Sequence, residues 1–235
     1  MNRALYSLLG VVCWMGCVGT ATAQESASTH SSKQSKLALP VDLETLPAVV
    51  REALAKVMLA PTITAVAPAD EFASSGEMYL WLLDHPDRVS LAWKRLNITA
   101  VDILPLDGGR FNWKDDQGSE LTWRAISKTG EGRIWYAEGH VRPSALLPLV
   151  PVRAVAILRH GVKKDEAGTP VICHQLEVFL QTDSKAANLV MKLLGPAAPR
   201  MAEQGAEQLL MFFSGIAKYV DKHPKKAPTL LAEKK

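Results

Sequence analysis

Cysteine is nearly absent, with three in 235 residues, and two of them, Cys13 and Cys17, fall in the first apolar run. Cys173 is then alone in the remainder, so no intrachain disulfide framework can support the fold. Charge of one sign is scarce too: the formal net charge is +3. The excess sits in the last fifteen residues, where five lysines face two acids, and the stretch between the two polar ends is slightly acidic. A nucleic-acid binder needs a basic face on the folded part itself, so that class is set aside. No run approaches the ~20 apolar residues of a membrane span. Motifs of the GxSxG, HExxH and CxxC types are missing, as is a glycine-rich loop leading into a helix. Gly108–Gly109 precedes a strand pattern and reads as a turn. No catalytic residue, metal site or cofactor is assigned on this basis.

What is present begins with an export pattern. Met1–Asn2–Arg3 is a short basic start, Ala4 to Met15 is apolar, and Ala21–Thr22–Ala23 supplies small residues before a cleavage point ahead of Gln24. Residues 1–23 are therefore read as a secretory signal and the protein as periplasmic or extracellular. Lipidation of Cys17 after Gly16 is the alternative, against which the bulky Trp14 and Met15 stand. Residues 24–39, QESASTHSSKQSKLAL, form a polar spacer expected to be disordered. One domain is expected over 40–222 and a disordered basic tail over 223–235. Its lysine pairs, Lys225–Lys226 and Lys234–Lys235, are either simply solvated or the place for peripheral contact with an anionic membrane.

Within the domain the period changes twice. Val49, Val50, Ala53, Leu54, Val57 and Met58 make one stripe of a helix over 45–59. Thr62–Val66 is a short strand ended at Pro68. Helices follow over 75–83 and 86–96, the second opened by Pro86. Period two then runs through Ile98–Leu104, Arg110–Lys114, Ser119–Ser127, Arg133–Val141, Val152–Gly161 and Val171–Gln181. The glycine-bearing turns between them predict an antiparallel meander. The apolar link 142–151 holds Leu146 and Leu147 and is read as a crossing over the sheet end or a lip around a cavity. Helical spacing returns over 184–194. The strongest element is a helix from Ala198 to Asp221, with Gly205, Leu209, Phe212, Phe213 and Ile216 among its stripe. Leu209 and Ile216 are expected to be buried on one face, and Phe212 and Phe213 are not expected both to be at the surface.

That element order carries a resemblance. A strand, two short helices, an antiparallel run and FLQTDSKAANLVMKLLGPAAPRMAEQGAEQLLMFFSGIAKYV at the end resemble the START-like superfamily of lipid-transfer domains, pollen-allergen-like proteins and polyketide cyclases. The resemblance covers Pro61 to Val220 and implies an α+β helix-grip fold. A curved antiparallel sheet of six or seven strands would wrap the long C-terminal helix around a cavity. Trp113, Trp123, Trp135 and Tyr136 on successive strands, with Leu146, Leu147, Gly205, Leu209, Phe212 and Phe213, then either line a pocket or fill a core. Two function classes stay open: a binding or transfer protein for a lipid or other apolar small molecule, and a cyclase- or hydrolase-like enzyme in the same cavity. A ligand-free envelope interaction protein is the third reading.

Single residues add less. His140, His160 and His174 lie in or near strands; they are read as satisfied or exposed before they are read as zinc ligands. Asp102, Glu138, Arg153 and Arg159 are read as facing solvent, with pairing inside a cavity as the alternative. Cys173, in Val171–Ile172–Cys173, is expected to be buried and unreactive.

Overall fold

The computed structural model describes residues 43–142, 149–182, 185 and 198–233. The expected signal and spacer, the expected helix over 184–194 apart from residue 185, and Leu146 and Leu147 therefore lie outside the described residues. Seven antiparallel strands form one curved, open sheet in the order β1-β7-β6-β5-β4-β3-β2. They are β1 (Ile63–Ala73), β2 (Ile103–Leu106), β3 (Arg110–Lys114), β4 (Glu120–Lys128), β5 (Gly132–Val141), β6 (Val150–Lys164) and β7 (Pro170–Thr182). The turns follow from local chemistry. Asp165 Oδ1 accepts from the N–H groups of Ala167 and Thr169 at 2.9 and 2.8 Å, and Gly168 supplies a φ of +81°. Asp115 makes the same turn with Gln117 and Ser119 at 2.9 and 2.7 Å.

β1 differs from its expected form. Pro68 does not end it; the strand continues to Ala73 with a register shift between Ala67 and Asp70. It is tolerated because, among the described residues, β1 pairs with β7 alone, so the proline sits on an edge at a bulge. At the opposite edge β2 carries Pro105 and starts five residues later than its alternation suggested.

The sheet has helices on both sides. On the inner face the long helix α4 (Ala198–Lys222) packs chiefly against β1 and β7. Its buried face is Ala202, Ala206, Leu210, Phe213, Ile216, Ala217 and Val220, meeting Ala65, Ala67, Phe72, Leu158, Ile172 and Leu176 of the sheet. α2 (Gly76–Asp84) and α3 (Pro86–Arg95) complete this core with Tyr79, Leu82, Val89 and Trp93. Ser75 caps α2, its Oγ accepting from Met78 N–H at 3.1 Å. Trp93 Nε1 donates to the Phe212 carbonyl at 2.9 Å, tying α3 to α4. The outer face is covered by α1 (Ala48–Leu59), whose Leu54 and Val57 bury against Ile134, Val155 and Ile157. Thus α1, outside the minimal helix-grip pattern, seals the back of the sheet.

The basic C-terminal segment departs from the disordered tail expected over 223–235. Pro224–Lys226 forms a 3-10 turn and Ala227–Leu231 a short helix, α5, with Leu230 buried. Arg95 holds it by donating to the carbonyls of Thr229, Leu230 and Ala232 at 2.9, 2.7 and 2.9 Å. One buried leucine and an arginine fork outweigh the local solubility of the lysines, so the folded unit extends past 222.

Candidate functional site

Successive residues of a strand point to opposite faces, and the register then sorts the expected site residues. Trp113 on β3, Trp123 on β4 and Trp135 on β5 share the inner face with Ala156 on β6, as the pairs Trp113↔Leu121, Trp123↔Ala137 and Trp135↔Ala156 require. They do not form one cluster. Trp135 belongs to the main core, its ring stacked on Phe213 at 6.1 Å between centroids and 5° between planes. Trp113 belongs to a second apolar cluster with Leu121, Val141, Val150 and Val152, against which Trp123 packs. Phe111 lies 5.8 Å from Trp123.

Tyr136, expected beside the tryptophans, does not share their face. One residue along from Trp135, it faces outward and packs in the cluster beneath α1, where its hydroxyl donates to Glu138 at 3.2 Å. On α4, Phe213 and Gly205 are buried, whereas Leu209 and Phe212 are only half-buried. The residue that takes the central place on this face is Leu210, one position on from Leu209. A cleft of about 560 Å³ opens elsewhere, between the start of α2 and α5, lined by Ser75, Met78, Trp81, Pro228 and Leu231 among others; none of the eight expected residues that are described lines it.

A polar row crosses the inner face at the other end of the sheet. Asp70 of β1 pairs with His174 of β7, which pairs with His160 of β6. Tyr79 of α2 lies over them, its hydroxyl 2.7 Å from His174 Nδ1. The Asp70 carboxylate stands 3.9 Å from His174 Nε2 and accepts from Lys218 of α4 at 3.1 Å. That carboxylate favours the tautomer with its proton on Nε2, so Nδ1 accepts from the Tyr79 hydroxyl. The Nε2 atoms of both histidines are buried without a hydrogen-bond partner. Burial holds both imidazoles down at about 4; Arg133 of β5 adds to this for His160, while for His174 Asp70 opposes it and Lys218 and His160 reinforce it. Arg133 is itself buried, donating to the Thr129 carbonyl at 2.7 Å with Asp84 3.6 Å from its Nε. Burial also pushes the Tyr79 hydroxyl far above its ordinary value, so it stays protonated.

His140 is exposed on β5 and remote from this row, and no group of three or more metal-ligating side chains occurs among the described residues. Asp102, Glu138 and Arg153 are exposed, and Arg159 pairs with Glu177 at 3.3 Å. No helix among the described residues is long and apolar enough to cross a membrane.

Cys173, expected to be buried, is only half-buried. Its neighbours Ile172 and His174 face inward, so alternation places it on the outer face, half-buried, with Sγ 3.4 Å from Glu71. Desolvation and the Glu71 carboxylate push its thiol up. Labelling by a polar maleimide at pH 7.5 is expected to proceed without unfolding, and Glu71→Gln to speed it several-fold, roughly in proportion to the gained thiolate. A rate unchanged by that substitution would separate reactivity from the Glu71 contact.

A seven-stranded antiparallel sheet curving over a long C-terminal helix, with two short helices after its first strand, defines the helix-grip class. No family model and no curated protein matches the sequence. Among solved structures, a conserved protein from Geobacillus kaustophilus aligns at 13% identity and TM-score 0.45, covering 66% of this chain and 96% of that one. The di-domain ARO/CYC BexL from the BE-7585A biosynthetic pathway aligns at 16% identity and TM-score 0.35, covering 70% and 52%. Norcoclaurine synthase from Thalictrum flavum aligns at 14% identity and TM-score 0.30, covering 80% and 98%.

Proposed function

We propose that this is an exported binding or transfer protein that holds an apolar small molecule, such as a lipid, against the inner face of the sheet beside Trp113 and Trp123. The observation that carries the reading is the division of that face. α4 packs on the β1 and β7 half, while Trp113, Leu121, Val141, Val150 and Val152 form a separate apolar cluster on the other half. Trp123, half-buried at the margin of this cluster, offers an apolar face to such a molecule, and within the cluster the indole N–H of the buried Trp113 has no acceptor. Binding is favoured over chemistry because, among the described residues, the one histidine with a close hydroxyl partner, His174, has no exposed side-chain surface for a substrate atom to touch. Export rests on the pattern of residues 1–23. Lys225 and Lys226, both exposed beside α5, are the place for contact with an anionic membrane.

Protein purified from its native compartment should begin at Gln24 and yield a co-purified apolar molecule on solvent extraction and mass spectrometry. An apolar dye should bind the stripped protein, and Trp123→Ala should weaken it about ten-fold, equivalent to about 1.4 kcal/mol. Tyr136→Phe, on the outer face, should leave it unchanged. An intact Met1 on the native protein overturns export; a clean extract with no dye binding overturns the ligand seat.

A further inference from the structure

The row Asp70–His174–His160 has a property unrelated to any occupant of the tryptophan cluster. Its Asp70 end lies beside α4 where that helix meets β1, and Lys218 joins the two: Lys218 of α4 binds Asp70 of β1, and the Lys218 ammonium also sits 5.1 Å from the centre of the Phe72 ring. Between them His174 uses Nδ1 as an acceptor for the Tyr79 hydroxyl and presents Nε2 to no partner within hydrogen-bond distance. We propose that this row is a proton-operated release for α4: protonation of His174 and His160 detaches the helix from β1 and β7 while the far half of the sheet stays folded.

The chemistry is local. A proton arriving at Nδ1 removes the acceptor of the Tyr79 hydroxyl, whose own proton is then buried without a partner. The imidazolium so formed faces Tyr79 from α2, His160 from β6 and Lys218 from α4, with Asp70 of β1 as its one anionic neighbour, already held by Lys218. His160, when charged, faces Arg133 of β5. Arg133 is already balanced by Asp84 and Lys218 by Asp70, so the two added cations are uncompensated and repel one another, and a shift of α4 relieves this by carrying Lys218 away, leaving Asp70 to His174, and admitting water. The sign is set by burial. The closed form holds both imidazoles near 4 and a solvated imidazole titrates near 6.5, so closure is fully favoured above about pH 6.5 and is lost as pH falls toward 4.

Deuterium exchange of the full chain, read by mass spectrometry from pH 7.5 to 4.5 and referenced to the intrinsic rate at each pH, tests this. Amides of α4 should lose at least about ten-fold in protection over that interval, and those of β3 and β4 should keep theirs. The double variant His160→Gln, His174→Gln should retain α4 protection at pH 4.5. Should that variant not fold, imidazole titration followed by NMR in the unaltered chain decides: both rings must take up their protons over the interval in which α4 opens. The proposal is overturned by α4 protection that persists to pH 4.5, by simultaneous loss across the whole sheet, by glutamine variants that open at the same pH, or by imidazoles still neutral when α4 has opened.

Discussion

Phe213→Ala is expected to lower the unfolding free energy by about 3–5 kcal/mol, and Leu209→Ala by only about 1 kcal/mol, in urea denaturation at neutral pH. Both lie on the apolar stripe of α4, and helical spacing alone does not separate them. Their surroundings do. The Phe213 side chain is buried, stacks on Trp135 and meets Phe212 edge-on at 5.1 Å, so truncation leaves a hole walled by aromatic rings that cannot collapse into it. Leu209 packs on the flank of the same cluster and is half-buried; its removal opens a gap that water or a neighbouring chain segment can fill. Losses of equal size for the two would mean that α4 is rotated by about half a residue step from the face described, which would also displace Lys218 from Asp70.

Gly139→Ala should cost about 3 kcal/mol, at the upper end of overpacking penalties, and Gly161→Ala less than about 0.5 kcal/mol. A Cβ at Gly139 would stand 2.1 Å from the carbonyl oxygen of Glu120 and 3.0 Å from the Cα of Leu121. Those are backbone atoms of the paired strand, so relief requires β4 and β5 to move apart at the point where Leu121 enters the tryptophan cluster. At Gly161 the same atom would meet nothing within 4 Å. The pair of substitutions thus separates a generic β-sheet effect of glycine from a steric one. An unchanged Gly139→Ala midpoint would contradict the close β4–β5 approach, and with it the packing of Trp113 and Trp123.

Much of the architecture was readable from alternation and turn residues. β3 was expected over Arg110–Lys114 and is found there, and the boundaries of β4, β5, β6 and β7 agree to within three residues. The misses have separate causes. Pro68 reads locally as a stop, and only its edge position in the sheet makes it tolerable. Leu230 is one apolar residue in a lysine-rich stretch; what folds that stretch is Arg95, over a hundred residues away. Alternation along β5 separates Tyr136 from Trp135, because neighbours in a strand point to opposite faces and do not line one pocket. The polar row was half visible: His160 and His174 alternate in phase with Leu158, Ile172 and Leu176. Counting outward from the turn, Lys164↔Pro170, also reaches His160↔His174. Tyr79 was not visible, since nothing in α2 distinguishes a tyrosine that meets a histidine from one that only fills space.

The open sheet has two borders, and each border strand contains a proline: Pro68 within β1 and Pro105 within β2. A strand from another molecule that tried to extend the sheet at either side would find a residue with no N–H to offer, and at β1 a broken register as well. Leu104 and Leu106, exposed on the β2 border, would otherwise make that side adhesive. Among the described residues, both borders of the unclosed sheet thus carry a local obstacle to the edge-to-edge addition of a second molecule.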